Sequence, residues 1–260
     1  MTMHLDVDGI AVEYQITGTG EPVAFVHARP FERWYSPLIA AMPAASVLRY
    51  TRTLPSDRRA FSIDEEAALL SRLVHHVGFD RPHVVGHSYG GLVALALAAN
   101  EVTLARSVAL LEPASSGLLA PDAAAAALAP VVDTHRSHGP QVAMERFLTV
   151  VCGPDHAEML HRLVPGALAD AMEHADQFFR VELNAVAEWG FGPDEAKRVE
   201  VPVLNVVGAD STPRFVQGAD LIQTWLPQSV PYTLPGAGHL LMGQNPIAMA
   251  DRLERFWSDY

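Results

Sequence analysis

The sequence has 260 residues, of which 49% are hydrophobic and 18% charged, and its net charge at pH 7 is -12. This composition is typical of a globular protein with a sizeable core and is too apolar for a disordered chain. The negative charge argues against binding to the phosphates of nucleic acids or to anionic lipid.

The distribution of cysteine and apolar residues bears on the compartment. The single cysteine, Cys152, cannot form an internal disulfide, which is compatible with a reducing cytosol. The first residues include acidic side chains and no continuous apolar stretch, so we expect no signal peptide. The longest apolar run, GLVALALAA, is shorter than the roughly 18 residues that a membrane-spanning helix needs. We therefore expect a soluble, cytoplasmic protein.

The first and last parts of the chain alternate between strand and helix patterns. Asp8-Gly9, between two runs of alternating apolar and polar residues, predicts a β-hairpin. Ser62 and Glu65 have the spacing of a capping box at the start of a helix, which Gly78 ends. Buried strands are predicted over residues 22–27, 46–51, 82–87, 105–113, 201–208 and 229–234. Helices are predicted over residues 31–42, 62–77, 90–100, 214–226 and from about 246.

Residues 113–198 interrupt this alternation. They are rich in alanine, contain no convincing strand and are punctuated by prolines and glycines. We expect four or five helices here, forming a cap inserted into a single sheet domain of residues 1–112 and 199–260. The alternation on both sides of the insertion predicts an α/β fold, with a mostly parallel sheet and helices on both faces.

The stretch GHSYG, residues 86–90, matches the pattern G-x-S-x-G of a nucleophile elbow. In such an elbow a tight turn between a strand and a helix lifts the serine hydroxyl out of the sheet. Glycines are needed on both sides because a Cβ would collide with the neighbouring strand or helix. The alternative interpretation is a glycine-rich bend without a catalytic role. The apolar strand before the motif and the apolar helix after it favour the elbow.

These motifs resemble those of the α/β-hydrolase superfamily over essentially the whole chain. The elbow GHSYGG, the preceding FVHARP and the later GADSTP and PGAGH stand in the order found in that family. The resemblance is to capped, esterase- or lipase-like members with a serine nucleophile. It implies an eight-stranded sheet, a helical cap after the sixth strand, and a triad in the order serine, acid, histidine.

The resemblance assigns three catalytic roles. Ser88 is the expected nucleophile, and His239, in a glycine-rich loop after the last predicted strand, is the expected general base and acid. Asp210 is the preferred acid, although its loop is one residue shorter than the commonest spacing in the family. Glu112, at the end of the preceding strand, is the alternative acid.

The resemblance also implies an oxyanion hole built from the backbone N–H groups of Tyr89 and Arg29. Ala28 stands where relatives usually have glycine. The Arg29 side chain either selects a substrate carboxylate at the pocket mouth or pairs with an acidic residue of the cap. Ala28, Phe178 and Phe179 are candidates for the substrate pocket, although the apolar helical stripe that contains the two phenylalanines is also compatible with a core.

The sequence therefore predicts a serine hydrolase that cleaves a small, fairly apolar ester, thioester or lactone. No cofactor and no metal site are expected, and the substrate is the one expected partner. Two alternatives keep the same fold: a cofactor-free lyase, cyclase or dehydratase of natural-product metabolism, and a non-enzymatic small-molecule receptor. The sequence leaves the oligomeric state open.

Overall fold

The strands form one eight-stranded sheet in a computed structural model that describes residues 2–54 and 60–260. In chain order the strands are β1 Met3–Val7, β2 Ile10–Thr17, β3 Glu21–Val26, β4 Ala45–Thr53, β5 His83–His87, β6 Ser107–Leu111, β7 Val203–Gly208 and β8 Val230–Leu234. Their order across the sheet is β1-β2-β4-β3-β5-β6-β7-β8. The two pairings β1–β2 and β2–β4 are antiparallel, and the other five are parallel.

The local patterns that predicted the edge of the sheet and its first long helix are present in the structure. Val7 pairs with Ile10 across the Asp8-Gly9 turn, where both turn residues have positive φ angles, 52° and 80°. Every residue of β5 and of β6 is buried, as expected of parallel strands covered on both faces. The predicted α/β fold with a mostly parallel sheet is confirmed.

Thirteen α-helices accompany the sheet in the described part of the chain. They are α1 Ser36–Ala40, α2 Ile63–Val77, α3 Tyr89–Asn100, α4 Pro121–His138, α5 Pro140–Cys152, α6 His156–Leu163, α7 Ala167–Glu173, α8 Ala175–Gln177, α9 Leu183–Glu188, α10 Pro193–Ala196, α11 Pro213–Trp225, α12 Leu241–Gln244 and α13 Pro246–Trp257. Helix α2 packs on α3, and α1 packs on α12 and α13. The predicted capping box is present at the start of α2, which ends at Gly78 in the left-handed conformation.

The regular structure between β6 and β7 consists of helices joined by short loops, and we call residues 113–198 the helical segment. It contains α4 to α10, a 3-10 turn at Ser115–Leu118 and a π-helical turn at Phe178–Glu182. In the described structure the segment has seven α-helices where four or five were predicted, because the helix is interrupted at His174 and the four-residue α10 follows Gly192. The π-helical turn joins α8 and α9 into one continuous run.

The lengths and hydropathies of the helices also bear on membrane insertion. Within residues 2–54 and 60–260, no helix is both long enough and apolar enough to cross a bilayer.

Candidate active site

The four candidate catalytic residues follow four neighbouring parallel strands. Ser88 follows β5, Glu112 follows β6, Asp210 lies two residues after β7, and His239 lies in the loop after β8. The carboxyl ends of parallel strands meet at one edge of the sheet, where α/β proteins bind their ligands. The topology therefore brings all four residues to the same edge, and their side-chain contacts decide which of them form a site.

Ser88 occupies a sharp turn between β5 and α3. Its backbone angles, φ 52° and ψ -115°, are rare for a residue with a side chain. A Cβ on Gly86 would lie 2.2 Å from the Gly90 carbonyl oxygen, and one on Gly90 would lie 1.9 Å from the carbonyl oxygen of Val26. Neither distance is sterically possible, so the turn requires glycine at both positions.

His239 and Glu112 form a buried pair. His239 Nδ1 lies 2.7 Å from Glu112 Oε2, and both residues are at most 4% exposed. Because a carboxylate only accepts hydrogen bonds, Nδ1 carries the proton and Nε2 keeps its lone pair. The other carboxylate oxygen of Glu112, Oε1, accepts the backbone N–H of Gly208 at 2.7 Å and the hydroxyl of Ser211. The carboxylate is thus held by three donors.

The structure corrects the preference for Asp210 as the partner of His239. The Asp210 side chain is exposed, and among the described residues it makes no hydrogen bond to the His239 ring. The backbone N–H of Asp210 donates to the Ala237 carbonyl at 2.9 Å. That of Ala209 donates to the Leu234 carbonyl, also at 2.9 Å. These bonds fix the shortened loop after β7, which contributes donors to Glu112 and no carboxylate to His239.

Two aromatic rings pack against the ring of His239. Phe215 stacks on it, with ring centroids 4.0 Å apart and an interplanar angle of 10°. The His87 ring lies 4.5 Å away, and its Nε2–H donates to the His239 carbonyl at 2.9 Å. Burial lowers the pKa of His87 well below the usual histidine value, and the neighbouring His239 lowers it further. His87 is therefore a neutral hydrogen-bond donor at neutral pH.

Ser88 and His239 line one cavity without a direct hydrogen bond between their side chains in the described structure. Such bonds are often loose before substrate binds and tighten in the complex. The cavity and its open mouth together span about 620 Å³ of space not occupied by atoms, part of it open to solvent. Its apolar wall is formed by Ala28, Phe31, Trp34, Ala114, Leu128, Phe147, Val151, Phe178, Leu183, Val186 and Phe215.

The two adjacent phenylalanines have different surroundings. Phe178 lines the cavity and packs edge-on against Phe31, with ring centroids 5.4 Å apart. Phe179 does not line it, and its ring stacks on His135 at 5.0 Å. The pocket expectation for Phe179 is therefore corrected, because consecutive helical side chains point in different directions.

The backbone donors expected of an oxyanion hole are available. Tyr89 is the first residue of α3, so its N–H has no acceptor within the helix. The N–H of Arg29 has no hydrogen-bond acceptor among the described residues. Ala28, between the strand end and Arg29, is not one of the residues with positive φ, so alanine fits there without backbone strain.

The Arg29 side chain does neither of the two things expected of it. Its Nη1 donates to the backbone carbonyl of Arg52 and to Thr53 Oγ1, the latter at 3.1 Å. Both acceptors lie on β4, and Arg29 does not line the cavity that contains Ser88. The guanidinium therefore fixes the loop after β3 to the neighbouring strand, β4, by hydrogen bonds.

The family can be decided by comparison with known proteins. A family model described as "Alpha/beta hydrolase family" matches residues 23–252. The chain belongs to this family.

Solved structures share the fold of this α/β hydrolase. An esterase from Thermogutta terrifontis has a TM-score of 0.78 and 19% identity, covering 100% of this chain and 98% of that one. An enol-lactonase from Burkholderia xenovorans has a TM-score of 0.81 and 21% identity, covering 98% and 100%. At these identities the likeness shows a common fold.

A curated relative matches part of the chain more closely in sequence. It is the dihydrolipoyllysine-residue acetyltransferase component of an acetoin cleaving system from Cupriavidus necator. The two are 34% identical over 119 residues, which are 43% of this chain. The matched region covers 32% of the relative, so this α/β hydrolase matches about a third of that protein's length.

Several residues at the site of this α/β hydrolase carry no sequence signal. Trp34 lines the cavity, and its buried Nε1–H has no hydrogen-bond partner among the residues that the structure describes. Phe215 stacks on His239, and Arg214 lines the cavity beside it. A helical pattern alone does not distinguish such residues from ordinary core or surface positions. The one available hint is that Arg214 and Phe215 follow GADSTP closely.

Proposed function

We propose that the protein is a serine hydrolase that cleaves a small, fairly apolar ester, thioester or lactone through an acyl-enzyme intermediate. The observation that carries the proposal is the 2.7 Å contact between His239 Nδ1 and Glu112 Oε2, beside a cavity that Ser88 also lines. The esterase and the enol-lactonase among the structures of similar fold are in keeping with this class of reaction.

In the proposed acylation, Ser88 Oγ attacks the substrate carbonyl carbon while His239 Nε2 accepts the hydroxyl proton. The Glu112 carboxylate stabilises the imidazolium that forms. The backbone N–H groups of Tyr89 and Arg29 stabilise the negative charge on the carbonyl oxygen, and each such donor contributes about 3 kcal/mol in related sites. His239 then protonates the leaving oxygen or sulfur as its bond to the acyl carbon breaks.

In the proposed deacylation, His239 Nε2 takes a proton from water as the water oxygen attacks the acyl carbon. The bond from that carbon to Ser88 Oγ then breaks, and His239 returns the proton to the serine. The products are a carboxylic acid and an alcohol or thiol, or a hydroxy acid from a lactone. Every proton is moved by the chain's own residues.

We further propose that the helical segment, residues 113–198, acts as a cap that shapes the substrate cavity. It contributes apolar residues from three of its helices, α4, α5 and α9, and from the π-helical turn: Leu128, Phe147, Val151, Phe178, Leu183 and Val186. These side chains favour an apolar acyl or alcohol group over a polar one.

Labelling with a fluorophosphonate probe tests the proposal. We expect one adduct on the Ser88 peptide by mass spectrometry, lost in Ser88→Ala and strongly slowed in His239→Ala. Ser137→Ala, which removes an exposed hydroxyl outside the cavity, is the control and retains labelling. Unlabelled Ser88, or labelling unaffected by His239→Ala, contradicts the mechanism. Labelling without turnover of any ester in a panel of graded chain length contradicts hydrolysis and favours a lyase or a receptor.

A further inference from the structure

We propose that Arg214 binds an anionic group of the substrate, so that the ester, thioester or lactone carries a carboxylate at a distance from its scissile bond. This inference rests on the proposed function, because it names the substrate class of the same cavity. Selection of a substrate carboxylate was one of the two roles expected of Arg29, but the Arg29 side chain is directed to β4. In this proposal Arg214, which lines the cavity, has that role instead.

The charge of the cavity wall is the first observation. Among the described residues that line it, Arg214 is the one arginine or lysine, and no aspartate or glutamate accompanies it. His87 is neutral because of its lowered pKa. An exposed guanidinium at the edge of an apolar cavity attracts a substrate of opposite charge. The positive charge at this cavity edge is opposite in sign to the net charge of the protein, which is -12.

The lack of an internal partner is the second observation. The guanidinium of Arg214 makes no hydrogen bond or ion pair with any described residue. Two other exposed arginines are paired in contrast, Arg33 with Asp170 at 2.6 Å and Arg180 with Asp176 at 2.8 Å. The donors of Arg214 are therefore free for a ligand.

Two hydroxyls accompany the guanidinium. Ser115 and Ser116 line the same cavity as Arg214. All three also line an adjoining cavity, which together with its open mouth spans about 580 Å³. The hydroxyls of Ser115 and Ser116 make no hydrogen bonds among the described residues. Arg214 and the two serines thus form a group of polar side chains without partners at the junction of the two cavities.

The position of this group relates it to the reaction. Phe215, the residue after Arg214 in the first turn of α11, stacks on His239. Arg214, Phe215 and His239 all line the same cavity as Ser88. A guanidinium fork matches the two oxygens of a carboxylate. One cation with two hydroxyls suits a monoanion better than a phosphate dianion, whose second charge would lack a partner.

Matched pairs of esters test the inference on the full chain. In the first pair, the para-nitrophenyl monoester of glutaric acid is compared with the ester in which two methyl groups replace the carboxylate oxygens. In the second pair, meta-acetoxybenzoate is compared with meta-isopropylphenyl acetate, which places the charge on the leaving group. The variants are Arg214→Gln and the control Arg255→Gln, an exposed arginine of α13 that lines neither cavity.

We expect the unmodified protein to favour the anionic ester of at least one pair by about tenfold in kcat/KM, mainly through KM, as for a hydrogen-bonded charge pair. The preference should weaken at high salt, disappear in Arg214→Gln and persist in Arg255→Gln. Equal kcat/KM values for the two esters within each pair, or a preference for the anionic ester that survives Arg214→Gln, overturns the inference.

Binding separates failure of this inference from failure of the proposed function. Ser88→Ala is titrated with each ester, and quenching of tryptophan fluorescence reports binding because Trp34 lines the cavity. If anionic esters bind more tightly and the difference requires Arg214, while the unmodified protein hydrolyses none, the anion site stands and the hydrolase proposal fails. If binding is indifferent to charge, the anion site fails.

Discussion

Ser88 and Glu112 both have positive φ angles, 52° and 45°, at the ends of adjacent strands. Such conformations cost about 1–3 kcal/mol for residues with side chains and persist where the surroundings enforce them. The Ser88 N–H donates to the Leu111 carbonyl at 3.1 Å, and the N–H of Ala114 donates to the Ser88 carbonyl at 3.0 Å. The two bends are thus hydrogen-bonded to each other, which couples the position of the proposed nucleophile, Ser88, to that of the proposed acid, Glu112.

Phe178 and Phe179 allow a matched test of the cavity at single residues. Phe178→Ala enlarges the cavity that contains Ser88, so we expect the optimum ester chain length to increase. The kcat/KM for short esters should fall about tenfold, since a few lost contacts in an apolar pocket have about that effect. Initial rates on a panel of para-nitrophenyl esters provide the measurement.

Phe179→Ala is the control, because its ring stacks on His135 outside the cavity. Its chain-length profile should match that of the unmodified protein even if its stability falls. A profile altered equally by both substitutions contradicts the assigned lining.

At the scale of elements, a buried cluster of charges connects β4, α2 and the helical segment. Arg52 on β4 bonds to Glu66 of α2 and, at 3.1 Å, to Glu182 of the π-helical turn. All three residues are at most 3% exposed. Burial raises the pKa of Glu182, against the opposing effect of Arg52. The π-helical turn therefore contributes Phe178 to the cavity and Glu182 to the cluster.

The cluster also reaches the nucleophile elbow. The Tyr89 hydroxyl lies 3.5 Å from Glu66 Oε2, and the Tyr50 hydroxyl donates to Glu66 Oε1 at 2.8 Å. Tyr89 directly follows Ser88, so its contact with Glu66 joins the start of α3 to the buried cluster. The cluster in turn contacts β4 and the helical segment.

Removing the central cation should strongly destabilise this connection. Arg52→Met leaves two buried carboxylates without their cation, so we expect the free energy of unfolding to fall by about 3–5 kcal/mol. Urea denaturation followed by circular dichroism measures this change. Arg49→Met, on the same strand, breaks a partly exposed ion pair with Glu32 and should cost about 1 kcal/mol or less. Equal losses in the two variants contradict a structural role for the cluster.

At the scale of the whole molecule, the alternation of strands and helices was sufficient to predict the fold. Local spacing also predicted the turns at Gly86–Gly90 and at Asp8-Gly9, because both conformations depend on glycine at fixed positions. The choice of partner for His239 depends instead on how the loop after β7 runs beside the β8–α12 loop. That course is set by backbone hydrogen bonds between residues distant in sequence.

The directions of several side chains also depend on contacts between residues distant in sequence, so local patterns do not predict them. The loop after β3 fixes Arg29 toward β4, a contact between residues more than twenty positions apart. The π-helical turn alters the helical spacing from Phe178 onward, so an ideal helical period does not assign the wall of the cavity. These features follow from tertiary packing and have no local signature.

The central claim is that the carboxyl ends of β5, β6 and β8 supply the catalytic group, with Glu112 as its acid. Steady-state hydrolysis of a para-nitrophenyl ester by Glu112→Gln and Asp210→Asn tests this claim most directly. We expect Glu112→Gln to lower kcat by about a thousandfold or more, because the amide neither stabilises the imidazolium nor enforces the required tautomer. Asp210→Asn should stay within about twofold, as an exposed substitution away from the ring. Full activity in Glu112→Gln, with a large loss in Asp210→Asn, would contradict the account.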